Sequence, residues 1–191
     1  RSNVPLAAHM TCAADGVETL STRADAHWNA GIRHAVAVRG DKGNASSVPV
    51  PNLVRLLADK GFEVMVGAYP ETHPSAASAQ SCLDALKAKQ DAGATAALTQ
   101  FFFDADVFLR FRDRAVAAGI TLDLVPGILP VTHWNSAKRM SQACGIHIAP
   151  DLAEGFARAA REDRSELMAT VHATELCDRL IQQDVTDLHI Y

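Results

Sequence analysis

Short apolar runs alternate with helical patterns along the chain. Runs of small and β-branched residues predict six strands, over 4–11, 34–41, 62–70, 96–104, 122–130 and 188–191. Between them, apolar residues recur at helical spacing and predict helices over 15–30, 52–60, 76–92, 105–118, 135–144 and 163–183, with a short linker helix near Asp151. Asp15 is the expected N-cap of the first helix. This alternation predicts an α/β protein with a parallel sheet.

The clearest strand is 34–41, which reads His-Ala-Val-Ala-Val and ends in Arg39-Gly40-Asp41. Its unbroken apolar run is typical of a parallel strand that is covered on both faces. A charged triplet at the carboxyl end lies where α/β folds bind their ligands. The same triplet is also typical of an ordinary polar turn. It becomes a candidate ligand-binding site only because other strands end in polar groups too.

Repeated strand–helix pairs favour a (β/α)8 TIM-barrel type of fold over an open doubly wound sheet. A closed barrel has eight strands and about 250 residues, so this sequence of 191 residues is expected to hold about six of the eight β/α units. No repeat or linker divides the chain. We therefore predict a single β/α-barrel domain over 1–191.

The composition and charge of the chain limit the classes of partner that it is expected to bind. Apolar residues make up 48% of the chain and charged residues 21%, as in ordinary globular proteins. The net charge of −4 and the lack of any basic run argue against nucleic acid, and no apolar stretch approaches the ~20 residues that span a bilayer. With no secretory signal visible and four scattered cysteines, we expect a cytoplasmic protein with reduced thiols and no metal site.

Polar side chains lie at or near the carboxyl ends of several predicted strands: His9, Arg39 with Asp41, Tyr69 with His73, and Gln100. If the strands are parallel, these groups lie at one rim, next to Pro126-Gly127. A carboxylate, a cation, imidazoles, a phenol and an amide suit a polar organic ligand better than a metal.

His9 and Gln100 also have a purely structural interpretation. His9 alone is more often a core histidine, Gln100 alone is more often a cap or loop amide, and Phe101 to Phe103 are expected to pack in the core. The sequence contains no glycine-rich phosphate motif, so a phosphate-bearing cofactor would need cationic side chains or backbone nests.

Seven motifs, in order and register, resemble methylenetetrahydrofolate reductase of the bacterial type along essentially the whole chain. They are His9-Met-Thr-Cys12, Val38-Arg-Gly-Asp41, Ala68-Tyr-Pro-Glu-Thr-His-Pro74, Lys89-Gln-Asp-Ala-Gly-Ala94, Leu98-Thr-Gln-Phe-Phe-Phe-Asp104, Phe108-Leu-Arg-Phe111 and Pro126-Gly-Ile-Leu-Pro130. The resemblance implies a flavin-bearing barrel in which NAD(P)H reduces FAD. The reduced flavin then converts 5,10-methylenetetrahydrofolate to 5-methyltetrahydrofolate in a ping-pong scheme.

The resemblance also implies roles for individual residues. Asp41 is implied to act electrostatically at the flavin and the pterin, and Gln100 to hold the pterin. Arg39 and Lys89 suit the FAD diphosphate because they are cationic. Tyr69 is implied to lie beside the ring system. The implied FAD contacts are His9, Arg39, Gly40, Asp41, Tyr69, His73, Ala76 and Lys89.

The chain departs from the family pattern at several places. Cys82, Ala85 and Ala88 stand where polar flavin contacts are common, and Met140 replaces an aromatic that stacks on the substrates. Pro49-Val50 also occupies a place where an aromatic is expected. The resemblance implies that the first two β/α units, including the glutamate that acts as general acid, lie outside this sequence. Glu71 belongs to another strand, so we do not nominate it for that role.

Two other functions stay open. One is a non-catalytic flavin- or folate-binding remnant without the general acid. The other is a β/α-barrel enzyme that acts on a different substrate without flavin, since three flavin-side positions are unusual. NADH and NADPH are not distinguished by the sequence, and the resemblance implies a homo-oligomer.

Overall fold

The computed structural model describes residues 4–12, 15–40 and 48–191. Strands and helices alternate through these residues, and their bounds follow. The strands are β1 (Ala7–Thr11), β2 (His34–Val38), β3 (Glu63–Ala68), β4 (Ala96–Phe101), β5 (Asp123–Ile128) and β6 (His189–Ile190). The helices are α1 (Val17–Asn29), α2 (Val50–Asp59), α3 (Ala79–Asp91), α4 (Ala105–Ala117), α5 (Trp134–Cys144), α6 (Pro150–Arg161) and α7 (Ser165–Ile181).

The strands form one sheet in the order β1-β2-β3-β4-β5-β6. β1 with β2, β2 with β3, and β5 with β6 pair in parallel, and the register aligns Ala8 with Ala35 and Ala35 with Val64. An open doubly wound sheet reverses its strand order at a switch point, whereas a β/α barrel keeps its strands in chain order. The observed order is therefore that of the barrel type.

The chain forms two compact units. Unit 1 comprises residues 1–68, 83–98 and 118–124, and unit 2 comprises 69–82, 99–117 and 125–191. In unit 1, the three central residues of β2 are all buried, as predicted for a strand covered on both faces. β3 instead buries every second residue, beginning with Val64. Leu20 of α1 and Leu53 and Leu57 of α2 are fully buried in the same unit.

Unit 2 has an aromatic core. Phe101, Phe103 and Phe156 are buried in one cluster with smaller apolar residues, and Trp134 stacks on Phe156 with ring centroids 5.1 Å apart. Phe102 is buried as well and stacks on Phe108. The prediction that Phe101 to Phe103 pack in the core is confirmed.

Two local predictions are wrong. Gly16, not Asp15, is the N-cap of α1, and Asp15 forms an ion pair with Arg23 of that helix instead. The short linker helix near Asp151 is α6, which has 12 residues. The helix is longer than predicted because Pro150 is favourable in its first turn and because Phe156 and Ala159 bury one of its faces.

The helices of the described residues include none long and apolar enough to cross a membrane. Within the same residues, no group of histidine, cysteine or acidic side chains has the arrangement of a metal site.

Candidate functional site

In unit 1, the ends of β1 and β2 place Arg39 and Gly40 immediately beyond the sheet. Thr11 aligns with Val38, and the backbone N–H of Cys12 donates to the Val38 carbonyl over 3.1 Å. Gly40 has φ of 87°, in the left-handed region that glycine adopts without a Cβ penalty. The Arg39 side chain is exposed. Asp41, the next residue, lies outside the described residues, so its predicted electrostatic role stays a prediction.

His9 lies in the middle of β1 rather than at its carboxyl end. It is the third of the five strand residues and aligns with Val36 of β2. Its side chain is exposed, on the opposite face of the strand from buried Ala8 and Met10. His9 is therefore not a core histidine. The predicted end of the first strand at Thr11 is confirmed, and His9 lies two residues before it.

Lys89 brings a positive charge to the end of β3. It lies in the last turn of α3, and its Nζ donates to the Gly67 carbonyl over 2.7 Å in a partly buried setting. Lys87 on the same helix instead pairs with Asp91 at the surface. The two lysines therefore differ: Lys89 is directed at the backbone of a strand end, where partial burial strengthens its field.

In unit 2, Tyr69 and His73 form a compact aromatic pair just after β3. Their ring centroids are 4.5 Å apart at an interplanar angle of 83°. His73 Nδ1 accepts a hydrogen bond from the Ser75 backbone over 3.0 Å, so Nε2 carries the proton when the ring is neutral. The Ala76 N–H donates to the His73 carbonyl over 2.8 Å, which closes the turn. Three predicted cofactor contacts thus share one short segment.

This segment, 69–76, is anchored to the rest of unit 2. Arg114 Nη2 donates to the Pro70 carbonyl over 3.0 Å, and Glu71 Oε1 accepts the His147 N–H over 3.0 Å. Gly145, with φ of 70°, approaches so closely that a Cβ there would lie 3.0 Å from Pro74 Cγ. Burial raises the pKa of the Glu71 carboxyl, and the bond from His147 partly offsets the rise.

Gln100 is the penultimate residue of β4 and is half-buried. Its side-chain carbonyl accepts the Phe101 N–H over 3.0 Å, so the orientation of its amide group is fixed by the adjoining backbone. The preceding residue, Thr99, is fully buried, and its hydroxyl accepts the Gly127 N–H of β5 over 2.9 Å. The end of β4 therefore presents an amide NH2 group from a well-fixed backbone.

Tyr191 is a polar group of this region that the sequence reasoning missed. Its phenol donates to the Thr99 carbonyl over 3.0 Å, and its ring meets Phe101 edge-on. Burial, with smaller contributions from Tyr69 and Cys144, raises the pKa of Tyr191 to about 12, so the phenol stays protonated. The same search for polar residues after strands, applied to the predicted strand 188–191, would have found it.

Four of the positions that depart from the family pattern lie on helices α3 and α5. On α3, Cys82 is half-buried, and Ala85 and Ala88 are exposed. On α5, Met140 is exposed over 40% of its surface. A methionine at an exposed position can still pack against a flat ring, with less geometric preference than an aromatic side chain.

Comparison with known proteins gives a consistent set of matches. The family model for methylenetetrahydrofolate reductase matches residues 1–191. The chain is 42% identical over 198 residues to 5,10-methylenetetrahydrofolate reductase of Escherichia coli (strain K12), covering 100% of this chain and 66% of that protein. It is 30% identical over 205 residues to "Methylenetetrahydrofolate reductase (NADH) 1" of Arabidopsis thaliana, covering 96% of this chain and 35% of that protein.

Among solved structures, a Clostridium thermocellum protein described as binding two copies of 5-methyl-5,6,7,8-tetrahydrofolic acid aligns with a TM-score of 0.49 and 11% identity. That alignment covers 96% of this chain and 86% of the solved one. Against the Escherichia coli relative, the chain spans about two thirds of the length.

Proposed function

Because this chain belongs to the methylenetetrahydrofolate reductase family, we propose that the protein reduces 5,10-methylenetetrahydrofolate to 5-methyltetrahydrofolate with NAD(P)H, through bound FAD. Family membership confirms the resemblance predicted from the seven motifs. With the parallel strands in chain order, it also confirms the predicted α/β fold of barrel type, of which this chain holds part.

One observation carries the proposal. Polar residues that the family resemblance assigns to cofactor and substrate follow the strands in order: Arg39 directly after β2, Tyr69 directly after β3, and Gln100 at the end of β4. In β/α barrels, side chains at the carboxyl ends of the strands bind the ligand and perform the chemistry. The match to the family is thus supported at the positions where the fold supplies function.

The described residues fit a flavin dinucleotide. A diphosphate requires cationic partners, and unit 1 offers Arg39 beyond β2 and Lys89 beside the Gly67 carbonyl. A flat conjugated ring suits an aromatic edge, and unit 2 offers Tyr69 already fixed against His73. His9, Gly40, Asp41, His73 and Ala76 complete the proposed cofactor contacts. When bound, FAD would accept a hydride from the reduced nicotinamide and deliver one to the folate.

The protein's own groups are proposed to position the folate and stabilise its charge. A carboxylate at Asp41 would favour the cationic iminium form of the substrate, which is the form that accepts hydride. The Gln100 amide would hold the pterin by hydrogen bonds. Glu71 is already bonded to the His147 backbone, which supports leaving it out of proton transfer.

Purified full-length protein provides the test. We expect it to show the visible absorbance of an oxidised flavin and to form 5-methyltetrahydrofolate when NADH or NADPH and methylenetetrahydrofolate are both supplied. Comparing the two nucleotides at equal concentration identifies the preferred donor. Protein that neither retains nor takes up flavin, and forms no product with flavin added, contradicts the proposal.

A non-catalytic flavin- or folate-binding protein is the second candidate. It is favoured by the substitutions on α3, where Ala85 and Ala88 expose no polar group at positions that commonly contact flavin in the family. Flavin or folate binding at ordinary affinity without any turnover is the outcome that would support it. We also propose a homo-oligomer from family resemblance, which the mass of the full-length protein in solution tests.

A further inference from the structure

Tyr191 contacts the residues on both sides of Gln100. Its hydroxyl donates to the carbonyl of Thr99, the residue before Gln100, over 3.0 Å. Its ring lies edge-on to Phe101, the residue after Gln100, with centroids 6.0 Å apart. The backbone N–H of Phe101 is also the group that holds the Gln100 side-chain carbonyl. Tyr191 therefore fixes the backbone from which the Gln100 amide projects.

The close approach of β5 makes this packing tight. A Cβ on Gly127 would lie 2.3 Å from the Thr99 carbonyl oxygen and 2.7 Å from Tyr191 Cε2. Such distances leave no room for a side chain, so the glycine lets the Tyr191 ring pack directly on the backbone of β5. The Tyr191 backbone N–H also donates to the Ile128 carbonyl over 2.9 Å. Tyr191 is thus held through both its side chain and its main chain.

We propose that Tyr191 is a positioning residue for the folate: it orients the Gln100 amide by anchoring the Thr99 carbonyl and packing on Phe101. This inference rests on the proposed function, because it takes Gln100 as the group that holds the pterin. Tyr191 needs no contact with the substrate for this role. It acts on the orientation of the Gln100 amide through its contacts with Thr99 and Phe101 of β4.

The role predicts an effect on folate that is separate from cofactor binding. Small displacements of a positioned group weaken its bond to substrate, and the hydroxyl that is removed donates to the Thr99 carbonyl, next to Gln100. Loss of one neutral hydrogen bond corresponds to about a three- to tenfold change in an equilibrium or rate constant. We therefore expect a change of this size in the KM for methylenetetrahydrofolate, with flavin affinity retained.

The test uses full-length protein carrying Tyr191→Phe, which keeps the ring and removes only the hydroxyl. The matched control is Thr186→Val, which removes an exposed hydroxyl bonded to Asp187 in the same unit. Gln100→Ala, and the double variant that combines it with Tyr191→Phe, complete a double-mutant cycle. Steady-state turnover, flavin content and melting temperature are measured for all.

We expect Tyr191→Phe to raise the folate KM about three- to tenfold, the range for one neutral hydrogen bond, whereas Thr186→Val matches the wild type. In the Gln100→Ala background, the same change should alter the folate KM less than about twofold, because the group that Tyr191 orients is gone. A merely stabilising role would lower the melting temperature and act equally in both backgrounds.

An unchanged folate KM for a folded, flavin-bound Tyr191→Phe protein overturns the inference and leaves the proposed function standing. An effect that is additive with Gln100→Ala also overturns it. A wild-type protein without reductase turnover overturns the proposed function and this inference together, so the two failures are distinguishable.

Discussion

The predicted site residues are held in different ways in the two units. In unit 2, Tyr69 packs on His73, the Gln100 carbonyl is bonded to the backbone, and the surrounding segment is tied down by Arg114 and Glu71. In unit 1, Arg39 and His9 are exposed, and Lys89 makes a short backbone contact. Unit 2 offers groups of fixed orientation, whereas unit 1 chiefly offers charge.

This difference has a physical reason. A flat ring or an amide is recognised by contacts that depend on direction. The protein groups that make these contacts must therefore be oriented before binding. A diphosphate is attracted by charge over longer distances, so a cation on a flexible stem is sufficient. Substitutions beside the site are therefore expected to matter most in unit 2, and loss of charge to matter most in unit 1.

A matched pair of glycines gives the largest contrast. Gly127→Ala would force a methyl group to within 2.3 Å of the Thr99 carbonyl in unit 2, and we expect a loss of about 3 kcal/mol in the free energy of unfolding. Gly67→Ala, in β3 of unit 1, meets nothing within 4 Å and has ordinary backbone angles. Its effect should stay within about 1 kcal/mol. Urea unfolding measures both, and equal losses would contradict the contrast.

Removal of charge should act next most strongly, at Lys89. Lys89→Met removes the ammonium group beside the Gly67 carbonyl, and we expect flavin affinity to fall about ten- to hundredfold, the range for a hydrogen bond to a charged group. Lys87→Met on the same helix removes a surface pair with Asp91 and serves as the control. Fluorescence titration with FAD measures both. Equal affinity for the two variants would show that Lys89 does not bind the cofactor.

The anchoring of segment 69–76 by Glu71 predicts a smaller change in stability, and this change depends on pH. Glu71→Ala leaves the His147 N–H without its carboxylate acceptor and should cost about 1 kcal/mol of unfolding free energy. Burial raises the pKa of Glu71, so its contribution to stability is greatest below the ordinary value of 4.5 and declines as pH rises through the raised value.

Glu71→Gln separates charge from hydrogen bonding. It keeps an oxygen acceptor and cannot ionise, so at neutral pH it should be at least as stable as the wild type. Chemical unfolding of the wild type and both variants at neutral pH tests the pair. If Glu71→Gln loses as much stability as Glu71→Ala, the negative charge itself anchors the segment.

The smallest expected effect concerns His172 of α7 in unit 2. Its Nε2 donates to the Phe103 carbonyl over 3.1 Å, and its ring packs near Phe156. Burial lowers the pKa of His172 below 6.5, against smaller opposing effects of the Phe103 bond and Glu175. The unfolded chain then binds the proton more readily, so stability falls as pH drops below that value.

His172→Gln keeps a donor and cannot titrate. We expect the wild type to lose more stability than this variant between about pH 7.5 and 5.5. Melting curves across that range provide the measurement. Parallel pH dependence for the two proteins would rule out His172 as a source of acid sensitivity.

Most of the fold was predictable because strand and helix periods differ clearly. The apolar runs placed each strand within a few residues, and burial of β2 followed from its unbroken apolar sequence. The misses were local. Asp15 satisfies the usual preference for an N-cap but pairs with Arg23, and α6 is longer than predicted because Pro150 is a first-turn residue and Phe156 buries one face.

The site was predictable only in part. Arg39 and Tyr69 directly follow their strands and Gln100 lies near the end of β4, as the sequence predicts. His9 lies within β1, two residues before the predicted and observed strand end at Thr11. The anchoring contacts of Glu71 and the role of Tyr191 join residues 76 and 92 positions apart. Periodicity carries no signal over such separations, so only the folded structure reveals these pairs.

The two halves of the proposed reaction, measured one after the other on full-length protein, test the central claim most directly. Under anaerobic conditions, NADH or NADPH should bleach the visible flavin absorbance, and methylenetetrahydrofolate added after removal of the nucleotide should restore it with formation of 5-methyltetrahydrofolate. A flavin that is bleached by nucleotide but is not reoxidised by the folate would contradict the account.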